Sequence, residues 1–320
     1  YSAGLNLTTG YNNNIFGHIA GNQLTEGYNN NIFGYQSGFN LTTGADNNIF
    51  GNSAGYSMGA AYNNNILGNQ AGYNLTTGNH NNIMSYRSGF KLTTGNDNNI
   101  FGNQAGYNLT TGGHNNIMGY RAAYNGNMTG NGYNNIFGHE AGYNLTDGSN
   151  NNLLGNKAGY NLNTGAGNNL IGANAGYKLS AGAGNNLIGT NPGYNLTIGN
   201  NNNILGFEAG YSLTNGGHNN IMGYRAAFMG NMTGSNNNIF GREAGYKLTT
   251  GAHNNILGYI AGFSLTIGNY NNLIGNSAGF SLTTGSNNNI FGREAAYNLT
   301  TGAHNNIMGY HAAYAGTMTG

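Results

Sequence analysis

The chain repeats itself every 17 residues, and that period rules out most folds before any other property is considered. Adjacent Asn pairs begin at Asn13, Asn30, Asn47, Asn64, Asn81, Asn98 and Asn115 and continue to Asn305 with two small interruptions. Eighteen full repeats result, and residues 1–10 match the last ten positions of another. Slots 1–17 are numbered here from YNNNIFGYQSGFNLTTG, residues 28–44. Slots 3 and 4 are always Asn, slot 5 is Ile or Leu, slot 6 is Phe, Leu, Ile or Met, and slot 7 is Gly except at Ser85. Slot 12 is Tyr or Phe in every full repeat but the one carrying Asn22, and slot 14 is Leu or Met. Helical repeats need about 33 residues or more. This period predicts an all-β fold, a parallel β-solenoid with one 17-residue repeat per coil and about 18–19 coils, running as a single continuous solenoid over residues 1–320 with a partial coil at 1–10.

Within a coil, Asn-Asn-Ile-Phe and Tyr-Asn-Leu-Thr read as short strands, and the glycines of slots 7, 11 and 17 read as corners. The expected coil therefore has two strands and two or three corners. Strand alternation predicts that slots 12 and 14 point inward and slots 13 and 15 outward. One coil has too few apolar side chains to offset the backbone entropy of seventeen residues, so coils must stack. Stacking at about 4.8 Å pairs backbone groups between coils and lines up identical side chains, giving Asn ladders and aromatic ladders.

Only 5% of residues are charged, where about a quarter is usual. The net charge is +1 and the nine Lys and Arg are scattered along the sequence, which predicts no nucleic-acid partner and no attraction to an acidic membrane surface. No run reaches the eighteen or so apolar residues of a membrane helix, so no membrane insertion is expected. A start at Tyr1 without Met or signal peptide suggests a mature form or an excerpt. No Ser-His-Asp grouping, phosphate loop or carboxylate pair stands out, so the chain reads as neither an enzyme nor a cofactor binder. His80, His114, His218, His253 and His304 share slot 2 but lie two or more coils apart, which predicts solvated corner residues and no metal site.

Slot 6 follows a core position in a strand, so it should face away from the core. The predicted outward apolar stripe, a candidate assembly surface, is Phe16, Phe33, Phe50, Leu67, Met84, Phe101, Met118, Phe137, Leu154, Ile171, Ile188, Leu205, Met222, Phe240, Leu257, Ile274, Phe291 and Met308. Alternatively, the slot-7 glycine bends the strand and both residues enter a wide core. Nine Asn-x-Thr sequons are candidate N-glycosylation sites, at Asn6, Asn40, Asn74, Asn108, Asn127, Asn144, Asn195, Asn231 and Asn298. The Thr persists beside Gln23, Lys91 and Lys247, which favours a structural role for it. Longer variant coils at 113–130, 217–234 and 303–320 carry an added residue before Met-Thr-Gly, expected as a bulge that either contacts a partner or records block duplication. Arg242-Glu243 and Arg293-Glu294 read as surface charge.

The pattern G-x-x-A-G-Y-x-L-T-x-G-x-x-N-N-[IL]-[FLIM]-G, seen in IFGNQAGYNLTTG at 100–112, resembles the β-roll repeats of trimeric autotransporter adhesin heads and is similar to repeats of tail-fibre-like surface proteins. That resemblance implies a parallel β-solenoid in an extracellular or cell-surface fibre. The expected function is a structural filament subunit that assembles with copies of itself, end to end, laterally or both, and carries covalent glycans as its only other expected partner. The alternative is an adhesin or a glycan- or surface-binding solenoid, with ice binding through the slot-15 row (Thr25, Thr42, Thr76, Thr93, Thr110) as a variant.

Overall fold

The computed structural model describes residues 2–129 and 132–315, and the chain divides into two compact units, Tyr1–Gly165 and Ala166–Gly320. The first carries β1 (Asn14–Phe16), β2 (Asn31–Phe33), β3 (Asn48–Phe50), β4 (Asn65–Leu67), β5 (Asn82–Met84), β6 (Asn99–Phe101), β7 (Asn116–Met118), β8 (Asn135–Phe137) and β9 (Asn152–Leu154). The second carries β10 (Asn169–Ile171), β11 (Asn186–Ile188), β12 (Asn203–Leu205), β13 (Asn220–Met222), β14 (Asn238–Phe240), β15 (Asn255–Leu257), β16 (Asn272–Ile274), β17 (Asn289–Phe291) and β18 (Asn306–Met308). Each unit is an all-β parallel solenoid with one strand per coil. Neighbouring strands pair slot on slot, as Asn31↔Asn48, Ile32↔Ile49 and Phe33↔Phe50 in the first unit and Asn186↔Asn203, Leu187↔Ile204 and Ile188↔Leu205 in the second.

Among the described residues the second expected strand is absent. Slots 11–14 turn instead, with the Leu41 N–H donating to the Gly38 carbonyl at 3.1 Å and the Leu75 N–H to that of Gly72 at 3.0 Å. Beyond the strands, isolated bridges form among the described residues, such as Leu213↔Met232 and Ile267↔Thr284. Because a turn does not alternate faces, slot 12 does not enter the core as predicted. Phe39, Tyr56, Tyr73 and Phe90 are half-buried and stack on one another outside it.

The core is narrow. Ile32 and Leu41 (slots 5 and 14) are fully buried, as are their counterparts in most other coils, with a small Ala or Ser at slot 10 except at Pro192. The Ser37 hydroxyl, buried there, donates to the Gly34 carbonyl at 3.2 Å. Coils approach too closely for a side chain at slot 7: a Cβ on Gly34 would lie 2.5 Å from the Gly51 carbonyl oxygen, and φ there is +134°. Slots 2 and 9 also take positive φ, near +55°, as at Asn29 and Gln36. Slot 2 is accordingly filled by Asn, Asp, His or Gly in most coils, the residues that tolerate this region best. The slot-2 histidines, His80, His114, His218, His253 and His304, are therefore corner residues chosen by backbone geometry.

The longer coils keep strand register. Asn116 pairs with Asn135 and Asn220 with Asn238, so the added residues are absorbed outside the strands. In the coil starting at 217 they emerge as a bulge where Gly230 has φ +150° and Met229 is exposed. Residue 130 of the first long coil, the following residue 131, and residues 316–320 of the third lie outside the described residues.

Candidate functional surfaces

Two amide columns run beside each other. On the inner one, slot 3, the Asn47 Nδ2 donates to Asn30 Oδ1 at 3.0 Å and to the Ala61 carbonyl, at the end of its own coil, at 2.8 Å. On the outer one, slot 4, the direction reverses, with Asn31 Nδ2 donating forward to Asn48 Oδ1 and Asn48 Nδ2 to Asn65 Oδ1, both at 2.8 Å. The second unit repeats both, as in Asn202 to Asn185 at 3.0 Å and Asn186 to Asn203 at 2.7 Å. Among the described residues no buried side-chain nitrogen or oxygen lacks a partner.

Slot 6 lies on the outer face beside the slot-4 column. Phe50, Leu67, Met118 and Leu154 in the first unit and Ile171, Ile188 and Met222 in the second are exposed, and most others in the row are half-buried. Phe16, Phe33 and Phe50 stack at 5.0 and 4.9 Å between centroids. The reading in which slot 7 folds these side chains into the core is not what forms.

The sequons sit on the turn that follows. Asn6, Asn127, Asn231 and Asn298 are exposed, and Asn40, Asn74, Asn108, Asn144 and Asn195 half-buried. Several of their threonines bond to the backbone of the next coil: Thr76 Oγ1 donates to the Thr93 carbonyl at 3.0 Å and Thr197 Oγ1 to that of Thr214 at 3.1 Å. Thr93 and Thr249, which follow Lys91 and Lys247, make the same bond at 3.0 and 2.8 Å. The slot-15 row thus has a structural task whether or not Asn precedes it.

One surface escaped the sequence reading. Lys and Arg, scattered along the chain, occupy only slots 8, 9 and 13 and so gather on one side of each unit. All nine lie over aromatic rings: Arg87, Lys91, Arg121 and Lys157 in the first unit and Lys178, Arg225, Arg242, Lys247 and Arg293 in the second, at 5.0–5.9 Å from a ring centroid. The signal that could have found them is the slot they share. The Arg225 Nε donates to Glu208 Oε2 at 2.7 Å, and this hydrogen bond raises the Arg225 pKa further. Glu140 takes Lys157 at 3.7 Å, while Arg242 and Arg293 lie beside Glu243 and Glu294. On the same side, burial pushes the Tyr143 phenol up, with the neighbouring Tyr160 adding to the shift.

No group of three or more His, Cys, Asp or Glu side chains that could hold a metal occurs among the described residues, and no described helix could cross a membrane.

These features define a class, the β-solenoids built on tandem repeats with asparagine ladders. No family model, no curated protein and no solved structure matches the chain. The likeness to adhesin heads therefore rests on the repeat residues alone.

Proposed function

We propose that the chain is a structural subunit of an extracellular or cell-surface fibre, assembling laterally with copies of itself through the slot-6 row. The observation that carries this reading is the outward apolar side chain on every rung, set beside an amide column. Contiguous exposed apolar surface of this kind marks interaction sites. A second copy is the occupant that fits, because it presents the same apolar row at the same coil spacing and can meet it rung for rung. The sparse charge on this face removes repulsion between copies. The extracellular placing and glycans on the nine sequons follow from the repeat resemblance and from the turn position of the asparagines.

Electron microscopy and sedimentation of the purified chain test the reading. Wild type should form rods or bundles, and the triple variant Phe33→Lys, Phe50→Lys and Phe101→Lys should stay dispersed. Dispersed wild type at high concentration, or bundles undiminished in the variant, would refute it.

A further inference from the structure

In the first unit two coils hold an arginine in the same sandwich. The Arg87 guanidinium lies 5.2 Å from the Tyr86 ring centroid and 5.5 Å from that of Phe90, and Arg121 lies 5.1 and 5.3 Å from Tyr120 and Tyr124. Each Nε is tied down by the preceding coil, to Gln70 Oε1 at 2.6 Å and to Gln104 Oε1 at 2.9 Å. Lys91, on the coil of Arg87, reaches over Tyr107 at 5.9 Å. Slots 8–13 of these three consecutive coils, residues 86–91, 103–108 and 120–125, contain no carboxylate. None of the three cations has an ion-pair partner among the described residues. The nearest acid along the column, Glu140 one coil further on, is engaged by Lys157 and His139.

The second unit supplies an internal contrast. Arg225 has the same sandwich, 5.2 Å from Tyr224 and 5.0 Å from Phe228, but the preceding coil offers Glu208 where the first unit offers Gln. The same device is thus neutralised in one unit and left charged in the other.

We propose that the side of the first unit carrying Arg87, Lys91 and Arg121 binds a linear anionic polysaccharide bearing sulfate or carboxylate groups. The charges repeat along the coil axis, Arg87 and Arg121 being two coils apart, about 9.6 Å at the usual strand spacing. A linear polyanion meets such a series, and a single small anion does not. Guanidinium groups held by rings and an amide have already lost their rotamer freedom, so less is lost on pairing with a sulfate or carboxylate. A nucleic acid fits less well. Single strands are held by stacking bases on open aromatic faces, whereas the slot-12 rings are stacked on one another, Phe90 on Tyr107 and Tyr107 on Tyr124, each at 5.1 Å, and Tyr86 and Tyr120 are faced by the arginines themselves. Amides for sugar hydroxyls lie beside the cations, Gln70 and Gln104 next to Arg87 and Arg121, and Asn108 in the slot of Lys91 one coil on.

The test uses the full chain and three immobilised probes: heparin for sulfate, polygalacturonate for carboxylate and oligothymidylate for nucleic acid, with dextran as the neutral control. At about 0.15 M salt, where surface charges are screened beyond ~8 Å, wild type should bind heparin, polygalacturonate or both, with affinity falling as salt rises, and should not bind dextran. The sulfate and carboxylate arms identify the group preferred. The pair Gln70→Glu and Gln104→Glu copies the Glu208–Arg225 arrangement that the chain already folds around, and should weaken binding about tenfold or more with unchanged circular dichroism. Arg87→Gln with Arg121→Gln should do the same, and the exposed Lys91→Gln should weaken binding less. Failure of wild type to bind either glycan, equal binding by the Gln→Glu pair, or oligothymidylate bound as tightly as the glycans would overturn the proposal.

Discussion

Asn98 and Asn81 are joined twice: the Asn98 backbone N–H and its side-chain Nδ2 both donate to Asn81 Oδ1, each at 3.1 Å. The remaining amide hydrogen goes to the Gly112 carbonyl at 2.9 Å, and Asn98 Oδ1 in turn accepts both donors of Asn115. Every donor and acceptor of a fully buried side chain is used, and only a primary amide has two of each function in this geometry.

Replacing Asn98 by Asp should therefore be costly in a pH-dependent way. The carboxylate keeps its acceptors but loses both donors, and it is buried against the oxygens of Asn81 and Gly112. The expected loss is about 3 kcal/mol or more at neutral pH. Burial raises the folded-state pKa of the new group above its unfolded value near 3.9, so the protonated form is the one the fold accepts. Stability should be highest below that unfolded pKa and fall as pH rises toward and through the raised folded value. Urea midpoints across pH check this; a pH-independent loss would show that the lost ladder bonds alone matter.

Ser85 is the one non-glycine at slot 7, and it is held at φ +120°. Its backbone bonds, N–H to the Leu67 carbonyl at 2.8 Å and carbonyl from the Ser88 hydroxyl at 3.0 Å, would survive a glycine. Strain of about 1–3 kcal/mol would be relieved, against roughly 0.5–1 kcal/mol of added unfolded-state entropy. Ser85→Gly should thus stabilise by about 1 kcal/mol. The reverse change, Gly34→Ala, should destabilise by more, because its Cβ would meet the next coil's carbonyl. Thermal melting of both variants decides the sign.

The rung, its register and its two amide columns were legible because Asn at slots 3 and 4 and Ile or Leu at slot 5 never vary, and invariance at a fixed period means like stacked on like. The outward direction of Phe33 and Phe50 followed from alternation in a true strand. The same rule failed at Phe39 and Tyr56, since slots 11–14 form a turn and period-two logic has no hold there. Left-handed corners were half legible: His80 and Asp97 at slot 2 are residue types that suit positive φ, while Ile19 and Arg87 at slot 9 are not, and only the inter-coil bonds impose it on them. The cation-bearing side is hidden along the chain because its residues lie 34 or more positions apart within a slot. Slot by slot, Arg87, Arg121 and Lys157 fall in one column.

The slot-6 row should contribute to the stability of the single chain through stacking between neighbours, without being part of its core. Phe33 stacks on its neighbours at 5.0 and 4.9 Å, and such pairs are worth about 0.5–1.5 kcal/mol each. Phe33→Lys should cost about 1–3 kcal/mol by denaturant titration, with the strand signature in circular dichroism retained. A global unfolding instead would place the row in the core rather than on a surface free for assembly.

Thr76 separates the two roles of the sequon. Its hydroxyl bridges to the next coil through the Thr93 carbonyl, and Thr93 makes the same bridge to Thr110 although Lys91 has removed the sequon there. Thr76→Val should cost about 1 kcal/mol, the usual worth of one such bond, in protein made without glycosylation machinery. Asn74→Gln, which also abolishes the sequon, should leave that bare protein within about 0.5 kcal/mol of wild type, because Asn74 is a half-buried turn residue outside the core. In protein secreted by a glycosylating host, both substitutions should remove one glycan mass at this position. Equal losses of stability from Thr76→Val and Asn74→Gln in the bare protein would show that the asparagine, not the hydroxyl bridge, holds this turn.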